Sequence, residues 1–116
     1  MELHSLLQRL NDAPDSVCFN DTIALIDTLY DFTPTSFRNG DTFNEAGQNN
    51  GSCKLFSFAK LQGLSQQQTL TCFGDYYRKD VLGNPDGTDH QNIRNFMKSG
   101  WDGVSFNGEA LNAKKP

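Results

Sequence analysis

The chain has 116 residues, 36% of them hydrophobic and 11% aromatic, and carries a formal charge of -4 from 14 Asp+Glu against 10 Lys+Arg. That length fits one domain and leaves no room for two independent cores. The basic residues are scattered, apart from Arg78-Lys79 and Lys114-Lys115. The stripe of cations that neutralises phosphates is therefore missing, and neither nucleic acid nor an anionic membrane surface is an expected partner.

No apolar run approaches bilayer length, and the start MELHSLLQRLND lacks the basic, apolar and small-residue regions of a secretory signal. Cys18, Cys53 and Cys72 are an odd, widely spaced set, which does not form a disulfide framework. Three reduced thiols in a cytoplasmic monomer are expected.

In the first segment Leu3, Leu6, Leu7 and Leu10 recur at i, i+3, i+4 and i+7, the stripe of an amphipathic helix, and Asn11-Asp12-Ala13-Pro14 ends it. A second helix is predicted from Asn20 as N-cap, with Ile23, Ile26 and Tyr30 on one face and Leu25 and Leu29 beside it. It stops near Asp31-Phe32, because Thr33 precedes Pro34 and is pushed out of the helical region.

Residues 33–51 are rich in Gly and Asn, which reach left-handed backbone angles cheaply. Phe37 and Phe43 flank Asn39-Gly40, a two-residue hairpin signal. The whole of 30–54 reads as a structured loop between two helices, pinned by its aromatics.

A third helix is predicted from Ser52 to Gly63, carrying Leu55, Phe56, Phe58, Ala59 and Leu61. Ser65 caps a fourth, with Leu70, Phe73, Tyr77 and Val81 as its buried stripe and Tyr76 alongside. After the turn cluster Gly83-Asn84-Pro85-Asp86-Gly87, Asp89 or Thr88 caps a fifth with Ile93, Phe96 and Met97 inward, stopped by Ser99-Gly100. Last come Trp101 and Val104-Ser105-Phe106, turned by Asn107-Gly108.

The expected fold is mainly α, bordering α+β. About five short helices surround one core with one or two short β-hairpins, in a single domain over 1–112 with a frayed tail at 113–116. In the α+β form, Thr42-Phe43 and 104–106 share a small sheet.

The chemistry is less defined. Gly47 to Lys54, GQNNGSCK, compares poorly with a phosphate loop: the spacing is short, Cys53 separates Ser52 from Lys54, and no buried strand precedes it. What remains is an anion at the N-terminus of the third helix. Cys53, in that helix's first turn, is the better placed of the thiols for a lowered pKa, but a buried, inert thiol is the favoured reading for Cys53 and Cys72 alike. Cys72 lies beside an apolar stripe, where cysteine acts as a small hydrophobe.

Neither C-x-x-C nor H-x-x-x-H occurs, so no metal or cofactor is expected. Pro85 to Asn95, PDGTDHQNIRN, is the densest polar cluster, but it lacks the acidic alternation and distal Glu of an EF-hand. In it His90 and Arg94 stand four apart on one helical face, with Asp89 as cap; Arg78 and Asp75 pair locally.

Taken in order, YDFTPTSFRNG, AGQNNGSCK, TLTCFGDYYRKDVL, NPDGTDHQNIRNFM and GWDGVSF resemble the HopJ type III effector family over nearly the whole chain. The resemblance implies a small bacterial protein with a relative delivered into host cells by type III secretion. It supplies no catalytic residue, ligand or cofactor.

Two functional readings follow. The first is a protein-interaction module, in the bacterial cytoplasm or secreted, working through an apolar surface around residues 30–54. The second is a small enzyme or polar-ligand binder using some of Asn44, Glu45, Asn49, Asn50, Arg78, Asp89, His90, Arg94 and Asp102. It requires several of these to converge in one cleft.

Overall fold

The computed structural model describes residues 2–114. Helix α1 (Leu3–Asp12) buries Leu6 and Leu10, and a 3-10 turn over Pro14–Ser16 follows at the proline. Helix α2 (Phe19–Leu29) starts earlier than its N-cap signal at Asn20: Cys18 is the cap, and Asn20 lies exposed in the first turn. A tertiary contact accounts for the shift. Gly74, at φ +63°, lets the Cys18–Phe19 backbone pass so close that a Cβ there would stand 2.8 Å from the Phe19 nitrogen.

The helical pattern ends at Leu29. Tyr30, half-buried against Phe58, opens strand β1 (Tyr30–Phe32), which pairs antiparallel with β5 (Leu111–Ala113). Of the tail expected to fray over 113–116, Ala113 pairs with Tyr30 and the Lys114 amide donates to the Leu29 carbonyl. Lys115 and Pro116 lie outside the described residues.

The segment read as a loop is partly a sheet. Strands β2 (Phe37–Asn39) and β3 (Thr42–Asn44) form the predicted hairpin, but its two-residue tip is Gly40-Asp41, one residue later than Asn39-Gly40. Asn39 is a fully buried strand residue. Strand β4 (Val104–Phe106) joins the other edge of β2, giving the order β3-β2-β4. Asn107-Gly108 closes no hairpin, because β4 and β5 belong to different sheets. The α+β features are therefore present, in a domain that stays mainly helical.

Helix α3 (Asn50–Gln62) starts two residues before Ser52 and stops at Gly63, at φ +68°. It buries Cys53, Leu55, Phe56, Phe58 and Ala59, whereas Leu61 faces solvent. Helix α4 (Gln66–Cys72) has the predicted Ser65 cap, completed into a reciprocal box by Gln68. It does not run on to Val81. The chain breaks at Gly74 and resumes as a π-helical segment, Tyr76–Val81, whose wider turn still buries Tyr77 and Val81.

Helix α5 (Gln91–Ser99) has His90, not Asp89 or Thr88, at its N-cap position, and that side chain does not cap it. At its other end Gln66 donates to the Phe96 and Met97 carbonyls, and Met97 is exposed. A 3-10 turn, Gly100–Gly103, leads into β4. Among the described residues no helix is long and apolar enough to cross a membrane.

The core converges on Phe56. Its fully buried ring meets those of Phe96 at 4.9 Å, Phe73 at 5.4 Å, Phe37 at 6.2 Å and Trp101 at 6.3 Å. Phe56→Ala is expected to lose about 3–5 kcal/mol, read as a fall in the urea midpoint with an unchanged slope. Phe56→Leu should lose clearly less.

Candidate ligand-binding cleft

Behind the site stands a buried cluster of asparagines contributed by β2, β3 and α5. Asn39 Nδ2 donates to the Asn92 carbonyl at 2.7 Å and to Asn92 Oδ1 at 3.1 Å. Asn44 Nδ2 donates to the same Oδ1 at 3.2 Å, and Asn92 Nδ2 returns a bond to Asn44 Oδ1 at 3.0 Å. Asn95 extends the set by donating to Thr42 Oγ1 at 2.7 Å and to the Asn39 carbonyl at 3.2 Å. Asn39 Oδ1 is the buried side-chain atom left without a partner among the described residues. The network ties the sheet to the start of α5.

In front of it opens a cleft of about 450 Å³. Phe19, Phe73 and Tyr76 form an aromatic wall, with the Phe19 ring stacked on Phe73 at 6.0 Å and edge-on to Tyr76 at 5.2 Å. Thr42, Asn49, Ser52, Gln91 and Asn92 supply polar groups, and His90 stands beside Tyr76 with ring centres 5.3 Å apart. Gly51 lets the Phe19 ring lie close to α3: a Cβ there would come 2.9 Å from Phe19 Cζ and push the ring aside.

The cleft lies between the N-termini of α3 and α5, and both are built unusually. Their N-caps, Asn49 (φ 51°) and His90 (φ 50°), are the non-glycine residues with positive φ among the described residues. That conformation costs on the order of 1–2 kcal/mol for an ordinary residue with a Cβ, such as His90, and less for asparagine. Neither side chain caps its own helix. Asn49 Nδ2 turns back to Asn44 Oδ1 at 2.7 Å, and His90 Nε2 lies 3.2 Å from Asp80 Oδ2.

The first intrahelical bonds are made by the Cys53 and Arg94 amides, to the Asn49 and His90 carbonyls. The amides of the preceding first turns therefore have no intrahelical acceptor. Gly51 and Ser52 of one helix, and Gln91, Asn92 and Ile93 of the other, line the cleft.

Of the nine residues singled out in the sequence, Asn49 and His90 line this cleft and Asn44 supports it from behind. The other six lie elsewhere. Glu45 and Asn50 are exposed, the Glu45 amide donating to Gln48 Oε1. Arg78 fastens the 3-10 turn to α4 through the carbonyls of Val17, Pro14 and Thr71. Asp102 is exposed on the turn Gly100–Gly103.

Arg94 does not share an open face with His90. It is buried, and donates to the Asp89 carbonyl, the Asp89 carboxylate and the Pro85 carbonyl, stapling the loop before α5. Phe19, Thr42, Tyr76, Asp80, Gln91 and Asn92 escaped sequence reasoning. Phe19 and Tyr76 read as ordinary aromatics, and only the break at Gly74 brings them to one wall.

The thiols lie apart from this chemistry. Burial pushes the Cys53 thiol up, outweighing a bond to the Thr35 carbonyl, so the helix start does not activate it and Cys53 is the buried thiol the sequence favoured. Burial likewise raises Cys72 to about 12. Cys18 is exposed, and all three are free. Among the described residues no group of three or more His, Cys, Asp or Glu is placed to hold a metal ion.

The hydrogen bond from Arg94 holds the Asp89 carboxyl below its ordinary value. A depressed carboxylate stabilises the fold above its unfolded pKa, and that stabilisation is lost as pH falls through the folded value. Asp89→Asn should therefore lower the melting temperature near neutral pH and lower it less in acid. Thermal unfolding followed from about pH 7 to about pH 3 checks this.

Fold and site together define a small, mainly helical domain with an aromatic-walled polar cleft between two helix N-termini. The chain belongs to the HopJ family, whose model, described as "HopJ type III effector protein", matches residues 3–111. It is also similar to a solved structure titled "Crystal structure of unknown function protein VPA0580", with 52% sequence identity and a TM-score of 0.95, covering 98% of this chain and 95% of that one. No curated protein matches the chain.

Proposed function

We propose that this HopJ-family protein is a small-ligand-binding domain that takes a compact molecule with a flat apolar body and a hydrogen-bond-accepting head. The observation that carries this reading is the pair of helix first turns, without side-chain caps, opening into one aromatic-walled cleft. Their amides favour an acceptor, and the helix dipoles favour negative charge. The rings of Phe19 and Tyr76 favour a flat apolar group.

The charge balance narrows the class. No Lys or Arg is among the lining residues, Asp80 is held at the rim by His90, and the chain carries -4 overall. A single carboxylate or carbonyl is accommodated more readily than a phosphate chain. Planar carboxylates such as benzoate are expected to raise the melting temperature by mass action, and pyrophosphate is not. Tyr76→Ala should abolish the ligand shift, with a modest fall in the unliganded melting temperature from the lost contacts to Phe19 and His90. Equal stabilisation of wild type and Tyr76→Ala would count against the cleft.

A second reading, delivery into host cells, is favoured by the description of the family. Export would have to unfold α1, whose Leu6 and Leu10 are part of the core. The full chain fused at its C-terminus to a translocation reporter should enter host cells only from bacteria with a working type III apparatus. Signal confined to the bacteria would mark a cytoplasmic protein. A protein-interaction role has less support, since the exposed apolar residues Phe43, Leu61, Tyr76, Leu82 and Met97 are spread over several elements.

A further inference from the structure

We propose that ligand capture in the cleft is coupled to protonation of His90, with Asp80 acting as the residue that fixes the ring's tautomer. The inference rests on the ligand-binding reading and names how that site is regulated. His90 is the lining side chain able to gain a positive charge near neutral pH.

Its charged and titratable surroundings are specific. From the π-helical segment, Asp80 Oδ2 lies 3.2 Å from Nε2, and the Tyr76 ring lies alongside. From the loop before α5, Asp89 Oδ2 is 3.8 Å from the same nitrogen, while the other Asp89 oxygen is committed to Arg94 at 2.7 Å. Both nearby carboxylates thus face Nε2, and Nδ1 has no protein partner among the described residues.

An ionised carboxylate only accepts hydrogen bonds, so Asp80 keeps the proton of the neutral ring on Nε2. Neutral His90 then keeps its lone pair on Nδ1, the ring nitrogen no protein group engages among the described residues, and a lone pair there repels an accepting head group. Taking up one proton at Nδ1 turns that acceptor into a donor and adds a positive charge to a cleft lined by no Lys or Arg. Binding of a carboxylate therefore takes up a proton, and affinity falls as the ring deprotonates.

The test uses benzoate as probe and the full chain, followed by amide and imidazole nitrogen NMR at about pH 5.5 and about pH 8, either side of the histidine range. Benzoate is expected to shift the Ser52, Gln91 and Asn92 signals, with affinity at least about tenfold lower at the higher pH. The neutral His90 ring should carry its proton on Nε2, and His90→Asn, which tolerates the positive φ, should bind with no pH dependence. His4, exposed on α1, serves as the internal control.

Equal wild-type affinity at both pH values, or a neutral ring protonated on Nδ1, overturns the coupling and leaves the ligand-binding reading standing. Signals unmoved by benzoate at either pH remove both.

Discussion

Phe56 is the contact on which the remaining elements depend. α3 places one fully buried ring where β2 delivers Phe37, α4 ends on Phe73, α5 brings Phe96, and the final 3-10 turn brings Trp101. Each of those elements is short, three to thirteen residues long, and none is stable alone. Packing around one large apolar side chain supplies what local propensity does not, and the positions of α3 and α5 are set together. Because both helices are anchored through the same ring, their N-termini keep a fixed separation, and the cleft between them is a consequence of the core.

The buried asparagines add direction to that packing. Apolar contacts tolerate sliding, whereas the amides of Asn39, Asn44 and Asn92 bond to one another in one register of β2, β3 and α5, with Asn39 Oδ1 left over. Removing the Asn92 side chain would strand Asn44 Oδ1, a buried unpaired group costing on the order of 1–3 kcal/mol unless Asn49 alone satisfies it. Asn49 belongs to this set through Asn44, so its left-handed backbone is held by the network. The polar core and the open first turn of α3 are parts of one arrangement.

This division explains what could be read from the sequence. The leucines of α1, the stop at Gly63 and the Ser65 cap obey local rules and stand where those rules put them. The starts of α2, α3 and α5 do not, since Gly74, Asn44 and Asp80, each distant in sequence or bound through a side chain, decide them. Arg94 illustrates the same limit. Its place four residues after His90 suggests a shared exposed face, yet three acceptors in the preceding loop draw it inward. The asparagine pairs span 48 and 53 residues, and no local pattern announces them.

The most informative departure is the break after α4. The apolar spacing of Leu70, Phe73, Tyr77 and Val81 describes one continuous helix, and all four are buried as it requires. The chain nevertheless breaks at Gly74, gives α2 room to begin against it, and resumes with π-helical winding. That winding carries Tyr76 to the aromatic wall and Asp80 to His90. A regular helix through the same residues would keep the buried stripe and turn the intervening positions to other directions. The core is indifferent to the distinction, but the cleft is not. Two left-handed caps, one helix break and a π-turn therefore gather around a single cavity, the kind of local irregularity that packing alone does not call for.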